Sequence, residues 1–157
     1  AFKGAKILSL ADPTKKMGKS YGSKHYVGIM ESEDSIYEKI KSAVTDPGPG
    51  REHEYMSPGV ETLFSILELT APTNTYQSFE DKYRNKSLKY KELKDAVFEH
   101  LMIVLTPIRK RKRELADSRK HVIEVLEFGA KKARAIAQET MMEVRHMVGV
   151  GPHSIKS

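Results

Sequence analysis

A mainly α chain is predicted, a helical bundle preceded by one short strand and a lysine-rich loop. Three observations carry the prediction. Apolar residues recur at helical spacing through most of the chain beyond residue 32, and only Ala5–Leu10 alternates clearly as a strand would. Charged residues make up 31% of the 157 residues, above the ordinary share of about 25%, which suits a modest core under a charged surface. The chain has no cysteine, so disulfide scaffolds and thiolate metal sites are excluded. No apolar run approaches the roughly 18 residues of a membrane span, and the first residues lack the apolar core of a signal peptide. A soluble, cytoplasmic chain without a membrane segment is expected.

Ala5–Leu10 is a strand without an evident partner, since beyond it only Tyr26–Met30 hints at another, and a lone strand leaves its backbone edges unsatisfied. With no Met at position 1, the expectation is a C-terminal piece whose strand belongs to a sheet carried elsewhere. Ser32 and Ser35 are both candidate N-caps, Ser35 with Glu38 forming a capping box, for a helix over 34–45 with Ile36, Ile40, Ala43 and Val44 on one face. Asp46-Pro-Gly-Pro-Gly50 stops it. Ser57 then caps a helix with Pro58 at its first position, and Val60, Leu63, Phe64 and Leu67 form its buried face until it ends near Leu69. A short helix around Thr75–Tyr83 follows.

Leu93, Ala96, Val97, Leu101, Val104 and Ile108 mark a long helix that Pro107 should kink without ending, so that it continues through Arg109–Arg113. Asp117 or Ser118 caps the last helix, whose stripe runs through Val122, Val125, Leu126, Ala130, Ile136, Thr140, Val144 and Met147 to a stop at Gly149-Val-Gly-Pro152. Residues 153–157 should fray. The short connections favour antiparallel neighbours.

Charge is unevenly placed. Six Lys and one Asp occupy residues 1–30, six basic and eleven acidic groups residues 31–86, and fifteen basic and nine acidic groups residues 87–157. Within the first region, Asp12-Pro-Thr-Lys-Lys-Met-Gly-Lys-Ser20 ends like a P-loop, but that motif needs Gly where Pro13 stands. A different phosphate-binding arrangement fits. Lys16 and Lys19, three apart in a loop of small residues, can aim two ammonium groups at one polyphosphate, while Met17 packs beneath and Ser20 offers a hydroxyl. Donors placed for the charge that develops on a departing pyrophosphate lower a barrier more than they stabilise bound ATP. A plain solvated basic loop is the alternative.

Lys16-Met-Gly-Lys-Ser20 resembles the Lys-Met-Ser-Lys-Ser signature of class I aminoacyl-tRNA synthetases. Its setting, Ser9-Leu-x-Asp-Pro-Thr-Lys-Lys-Met17 followed by Glu38-Lys-Ile-Lys-Ser-Ala-Val-Thr-Asp46, is similar to the bacterial-type tryptophanyl-tRNA synthetases. The Asn74–Tyr83 helix, the Pro107 helix and Gly129-Ala-Lys-Lys-Ala133 extend the likeness over residues 1–150. The resemblance implies a C-terminal part of a tryptophan–tRNA ligase. Residues 1–32 would form the edge of a Rossmann-like catalytic domain, with its last strand and ATP loop. Residues 33–152 would form a helical domain that binds the tRNA anticodon, and 153–157 a frayed tail. It implies Lys16 and Lys19 in catalysis, and ATP binding by Ile7, Lys16, Met17, Gly18, Lys19 and Ser20. ATP would be a substrate with Mg2+, the partners L-tryptophan and tRNA(Trp), and the whole enzyme a homodimer, of which this part alone could be monomeric.

Gly18 departs from the family's Ser, removing a hydroxyl and costing roughly 0.5–1 kcal/mol of ordering entropy by the Gly-versus-Ala scale. The family's other signature, His-Ile-Gly-His, does not occur, and His25, His53 and His100 stand apart. The chain alone is therefore expected not to aminoacylate. For RNA, Arg109 and Arg113 share a helical face, and Lys131, Lys132 and Arg134 form a second basic set. Most of the Arg109–Arg113 run would be solvated helix face. Tyr83, Tyr90, Phe98 and Phe128 read as packing residues more than as platforms for bases, and the histidines form no metal constellation. The alternative function is a free-standing tRNA- or RNA-binding helical module without catalysis.

Overall fold

Residues 6–46 and 56–150 are described by the computed structural model. Ala5, the Pro-Gly stop after Asp46, His53, Pro152 and the 153–157 tail lie outside the described residues. The helices are α1 (Glu33–Lys41), α2 (Pro58–Thr70), α3 (Thr73–Arg84), α4 (Tyr90–Asp117) and α5 (Arg119–Met147), with 3-10 turns at Lys19–Tyr21 and Ser23–His25. The mainly α architecture expected from the periodicity is what forms.

Of the two candidate caps, Ser32 begins α1, its Oγ accepting from the Ser35 N–H at 3.2 Å. The expected capping box on Ser35 does not form, because Ser35 lies inside the first turn and its hydroxyl donates to Glu31 Oε2 at 3.1 Å. The helix stops at Lys41 instead of running to 45, since the Val44 N–H donates to the Leu10 carbonyl (2.9 Å). Lys94 then places its ammonium on the Lys41 and Ala43 carbonyls at 3.0 and 2.8 Å, at the negative end of α1.

Pro58 occupies the first turn of α2 as expected, but Ser57 makes no side-chain cap and its buried Oγ has no hydrogen-bond partner among the described residues. Two residues after α2 the next helix begins, two residues earlier than Thr75. Tyr76 and Tyr83 of α3 each present an edge-on ring to Phe64, with centroids 6.0 Å apart. The 28-residue α4 carries Pro107 inside it.

Two compact units make up the chain, Ala1–Lys110 and Arg111–Ser157. In the first, Leu10, Ile36, Ile40, Val60, Leu63, Phe64, Leu67, Leu88, Leu93, Val97 and Leu105 close one core, with Ile7 and Met17 packed on its margin. Where a strand was expected over Ala5–Leu10, the described residues show a single antiparallel bridge between Leu8 and Lys16. With no other strand among the described residues, the segment pairs with its own following loop. In the second unit α5 has no buried residue, and Val125, Leu126, Ile136, Val144 and Met147 of its apolar stripe are exposed. Helical spacing defines an apolar face without defining what covers it. Among the described residues no helix is long and apolar enough to cross a membrane.

Among the described glycines, Gly59 marks the tightest approach. A Cβ there would lie 2.1 Å from the Val44 carbonyl oxygen and 3.3 Å from Pro13 Cγ. Gly59→Ala should therefore destabilise the fold by about 1–3 kcal/mol, as overpacking does. Denaturant midpoints of the two proteins measure this, and an unchanged midpoint would show that α2 does not need so close a contact.

Candidate functional site

The lysine-rich loop hangs from an extended segment, residues 7–9. Met17 N–H donates to the Ile7 carbonyl and Ser9 N–H to the Lys15 carbonyl, both at 2.9 Å. Between these ties the chain turns at Asp12, which accepts from the Thr14 N–H at 3.2 Å and the Thr14 hydroxyl at 2.6 Å. Asp12 also pairs with Lys15 at 2.8 Å. Lys15, helped by the Thr14 hydroxyl and N–H, lowers the Asp12 carboxyl to about 2.

That pairing sorts the three lysines. Lys15 is neutralised locally, whereas Lys16 and Lys19 are exposed and form no ion pair among the described residues. Lys16 sits in the bridge opposite Leu8 and Lys19 opens the first 3-10 turn. Met17 is partly buried against the core, the anchoring expected of it, and with Ile7, Val27, Ile29 and Leu69 it lines an apolar cavity of about 180 Å³. Ser20 is exposed. The Gly18 backbone is extended, at φ −166°, which any residue can adopt, and a Cβ there would meet the Tyr21 ring at an ordinary 3.6 Å. Gly22, by contrast, links the two 3-10 turns at φ +104°, a conformation that favours glycine.

Tyr26 and Glu31, which sequence reasoning did not single out, form the outer wall. Lys19 Nζ stands 6.0 Å from the Tyr26 ring centre and Lys39 Nζ 4.8 Å from it. Lys39 also donates to the Tyr26 carbonyl at 3.1 Å and pairs with Glu31 at 2.6 Å. Burial alone would raise the Glu31 carboxyl, but Lys39, Ser35 and the Gly28 N–H outweigh it and hold it below the usual range. Lys19, Tyr26, Gly28 and Glu31 border an open groove of about 600 Å³. No periodicity signals these residues, because their meeting depends on how residues 26–31 fold against α1.

The basic candidates on the helices separate. Arg109 is largely covered, with Nη1 3.9 Å from Glu33 Oε1, so it turns toward α1. Arg113, Lys131, Lys132 and Arg134 are exposed. Tyr83 packs on Phe64, Phe98 stands edge-on to Tyr37 at 5.1 Å, and Tyr90 donates to Asp46. Phe128 corrects the expectation of packing, being 73% exposed. Among the described residues no group of three or more His, Asp or Glu could hold a metal ion.

Comparison with known proteins accords with this loop and these helices. The family model described as tRNA synthetases class I (W and Y) matches residues 3–106, and the chain belongs to that family of class I synthetases. Within it several high-coverage similarities are to tryptophan enzymes. A tryptophan–tRNA ligase of Porphyromonas gingivalis is 36% identical over 138 residues, 88% of this chain and 42% of that protein. The structure of tryptophanyl-tRNA synthetase from Mycoplasma pneumoniae superposes with a TM-score of 0.75 at 29% identity, over 99% of this chain and 47% of that one. The Campylobacter jejuni enzyme, in a structure complexed with ADP and tryptophan, gives a TM-score of 0.72 at 28% identity over 92% of this chain and 44% of that one. The chain thus spans less than half the length of these relatives.

Two outcomes are expected of the loop. Gly18→Ala should stabilise the protein by about 0.4–1 kcal/mol, because its backbone geometry suits any residue and only the unfolded chain loses freedom; thermal unfolding reports it, and a loss of stability would contradict the extended geometry. The Asp12 pairing belongs to the ionised carboxylate, whose folded value is depressed, so it is fully present above 3.8 and lost as pH falls toward about 2. Exchange protection of the Thr14 amide should fall over that window, and in Asp12→Asn the fall should be absent.

Proposed function

We propose that the chain carries the phosphate loop of an aminoacyl-adenylate site joined to an RNA-binding helical part, within a tryptophan–tRNA ligase. On this reading residues 1–32 form the edge of the ATP domain and 33–152 the anticodon-binding part. In the reaction the tryptophan carboxylate attacks the α-phosphorus of ATP, the bond to the β-phosphate breaks, and pyrophosphate leaves with the added charge. The observation that carries the proposal is the sorting of lysines. Asp12 neutralises Lys15 but leaves Lys16 and Lys19 exposed without a carboxylate partner among the described residues, on a loop tied by its backbone to Ile7.

Two ammonium groups there attract the leaving pyrophosphate more strongly as its charge grows, which favours the transition state over bound ATP. Ile7 and Met17 line an apolar cavity on which adenosine would rest, and Gly18 and Ser20 complete the loop. The donor set does not fit a resident Mg2+: the loop's carboxylate, Asp12, is taken by Lys15 and Thr14. Magnesium would arrive with the ATP phosphates, and no step rests on it here.

On the RNA side, Lys131, Lys132 and Arg134 offer exposed cations to phosphates of tRNA(Trp). Phe128, three and four residues before the lysines, offers an exposed ring to an unstacked base. Arg113 is a further phosphate candidate, and Arg109, drawn to Glu33, is a weaker one. The whole ligase would act in the cytoplasm as a homodimer.

Titration of this chain with ATP tests the catalytic half. Lys19→Ala should weaken ATP binding about 10- to 100-fold, the scale of a hydrogen bond to a charged group, while leaving tRNA(Trp) binding unchanged. Equal loss of both, or no ATP binding by the unaltered chain alongside firm tRNA binding, would favour an RNA-binding module without catalysis. Tryptophan-dependent ATP–pyrophosphate exchange by this chain alone is expected to be absent. On the RNA side, Lys131→Ala with Lys132→Ala should lower the salt slope of tRNA binding by about 1.5 if each lysine meets one phosphate, and an unchanged slope would remove α5 from the interface.

A further inference from the structure

Residues 17–25 leave and return to the same short extended segment. At one end Met17 N–H donates to the Ile7 carbonyl at 2.9 Å. At the other, His25 Nδ1 lies 2.9 Å from Ser9 Oγ. The first tie is main-chain and open to almost any sequence, whereas the second needs two particular side chains.

The direction of the second tie follows from what Ser9 already does. Ser9 is 0% exposed, and its Oγ accepts from the N–H groups of Ala11 at 3.2 Å and Asp12 at 3.0 Å. Both acceptor positions of the hydroxyl are in use, so its proton is what it has left to give. Ser9 therefore donates to Nδ1, and the His25 ring keeps its own proton on Nε2. The Tyr21 ring, 5.8 Å away and inclined at 46°, flanks the imidazole. A buried serine whose three hydrogen-bonding positions are all filled has no freedom to turn, so the histidine it holds is held firmly.

Between the two ties the chain has little slack. The Gly22 N–H donates to the Lys19 carbonyl and the His25 N–H to the Gly22 carbonyl, each at 3.1 Å, so Lys19 and His25 are joined by two consecutive 3-10 turns. A displacement of His25 must be passed to Lys19.

We propose that His25 is a positioning residue for phosphate recognition: by accepting from Ser9 it closes the far end of the Met17–His25 loop and holds Lys19 where a polyphosphate meets it. This rests on the phosphate-binding role proposed for Lys16 and Lys19, and the two are separated by the experiment.

Inorganic pyrophosphate is titrated into the unaltered chain, His25→Ala and His25→Asn, and the His25 ring nitrogens are followed by NMR in the unaltered chain. His25→Ala should bind pyrophosphate about fivefold more weakly, the scale of one neutral hydrogen bond. His25→Asn, whose side-chain carbonyl can accept from Ser9 at nearly the same place, should keep most of the affinity. The Nδ1 signal should be that of an unprotonated acceptor. Pyrophosphate binding by the unaltered chain with no loss in His25→Ala, equal loss in both variants, or a proton on Nδ1 overturns the positioning role alone. Absence of pyrophosphate binding by the unaltered chain overturns the phosphate reading and the positioning role together, while an acceptor signal at Nδ1 would still identify the tie itself.

Discussion

The backbone pairing of residues 7–10 is the constraint on which the site depends. These four residues give the loop its two main-chain anchors, at the Ile7 carbonyl and the Ser9 N–H, and receive the Val44 N–H at the Leu10 carbonyl. Leu10 is itself buried in the core beside α1 and α2. The loop takes up the Ile7 carbonyl and the Ser9 N–H on one side of the segment, and the chain just beyond α1 takes up the Leu10 carbonyl. The lysines thus acquire position from apolar packing. The core holds Leu10, Leu10 aligns the segment, and the segment aligns the loop.

Charge placement does a different job. The pairs Lys15–Asp12 and Arg111–Glu114 are exposed and stabilise the fold little. Lys15–Asp12 matters as a choice of partner. It occupies the loop's carboxylate and leaves Lys16 and Lys19 without an ion-pair partner among the described residues. The more covered Lys39–Glu31 pair works with the Tyr26 carbonyl and the Gly28 N–H, so it locks residues 26–31 onto α1. Lys94, whose burial lowers its pKa, sits on the carbonyls at the end of α1 and ties α4 to the same corner. Three lysines out of a basic sequence are thereby structural, and the remainder of the loop is free for an anion.

The helices were legible because their signals are local. Ser32 before an acidic first turn, Pro58 after Ser57 and the apolar spacing of α2 and α4 each depend on residues within a turn or two. The loop was legible as a motif, Lys16 to Ser20, in a setting similar to one family. What local pattern could not show was competition between partners. Ser35 was equally eligible as a cap until Glu31 came within reach of its hydroxyl. Arg109 and Arg113 were equivalent on paper until Glu33 drew one of them in. Phe128 had the same apolar character as Phe98, yet Phe98 meets Tyr37 whereas Phe128 is exposed among the described residues.

The amino-acid sequence by itself therefore determined the helical periodicity, the turn chemistry around the loop and the identity of the two lysines, because each follows from spacing and side-chain type over a few residues. Tertiary structure alone decided that residues 7–9 would pair with the loop that follows them, that α1 would yield its last turn to Leu10, that Lys15 would be the lysine neutralised, and that Ser9 would meet His25 across sixteen positions. Those outcomes depend on which groups arrive within 3 Å of one another, and distance between remote residues is set by the packing of the core, not by their order along the chain.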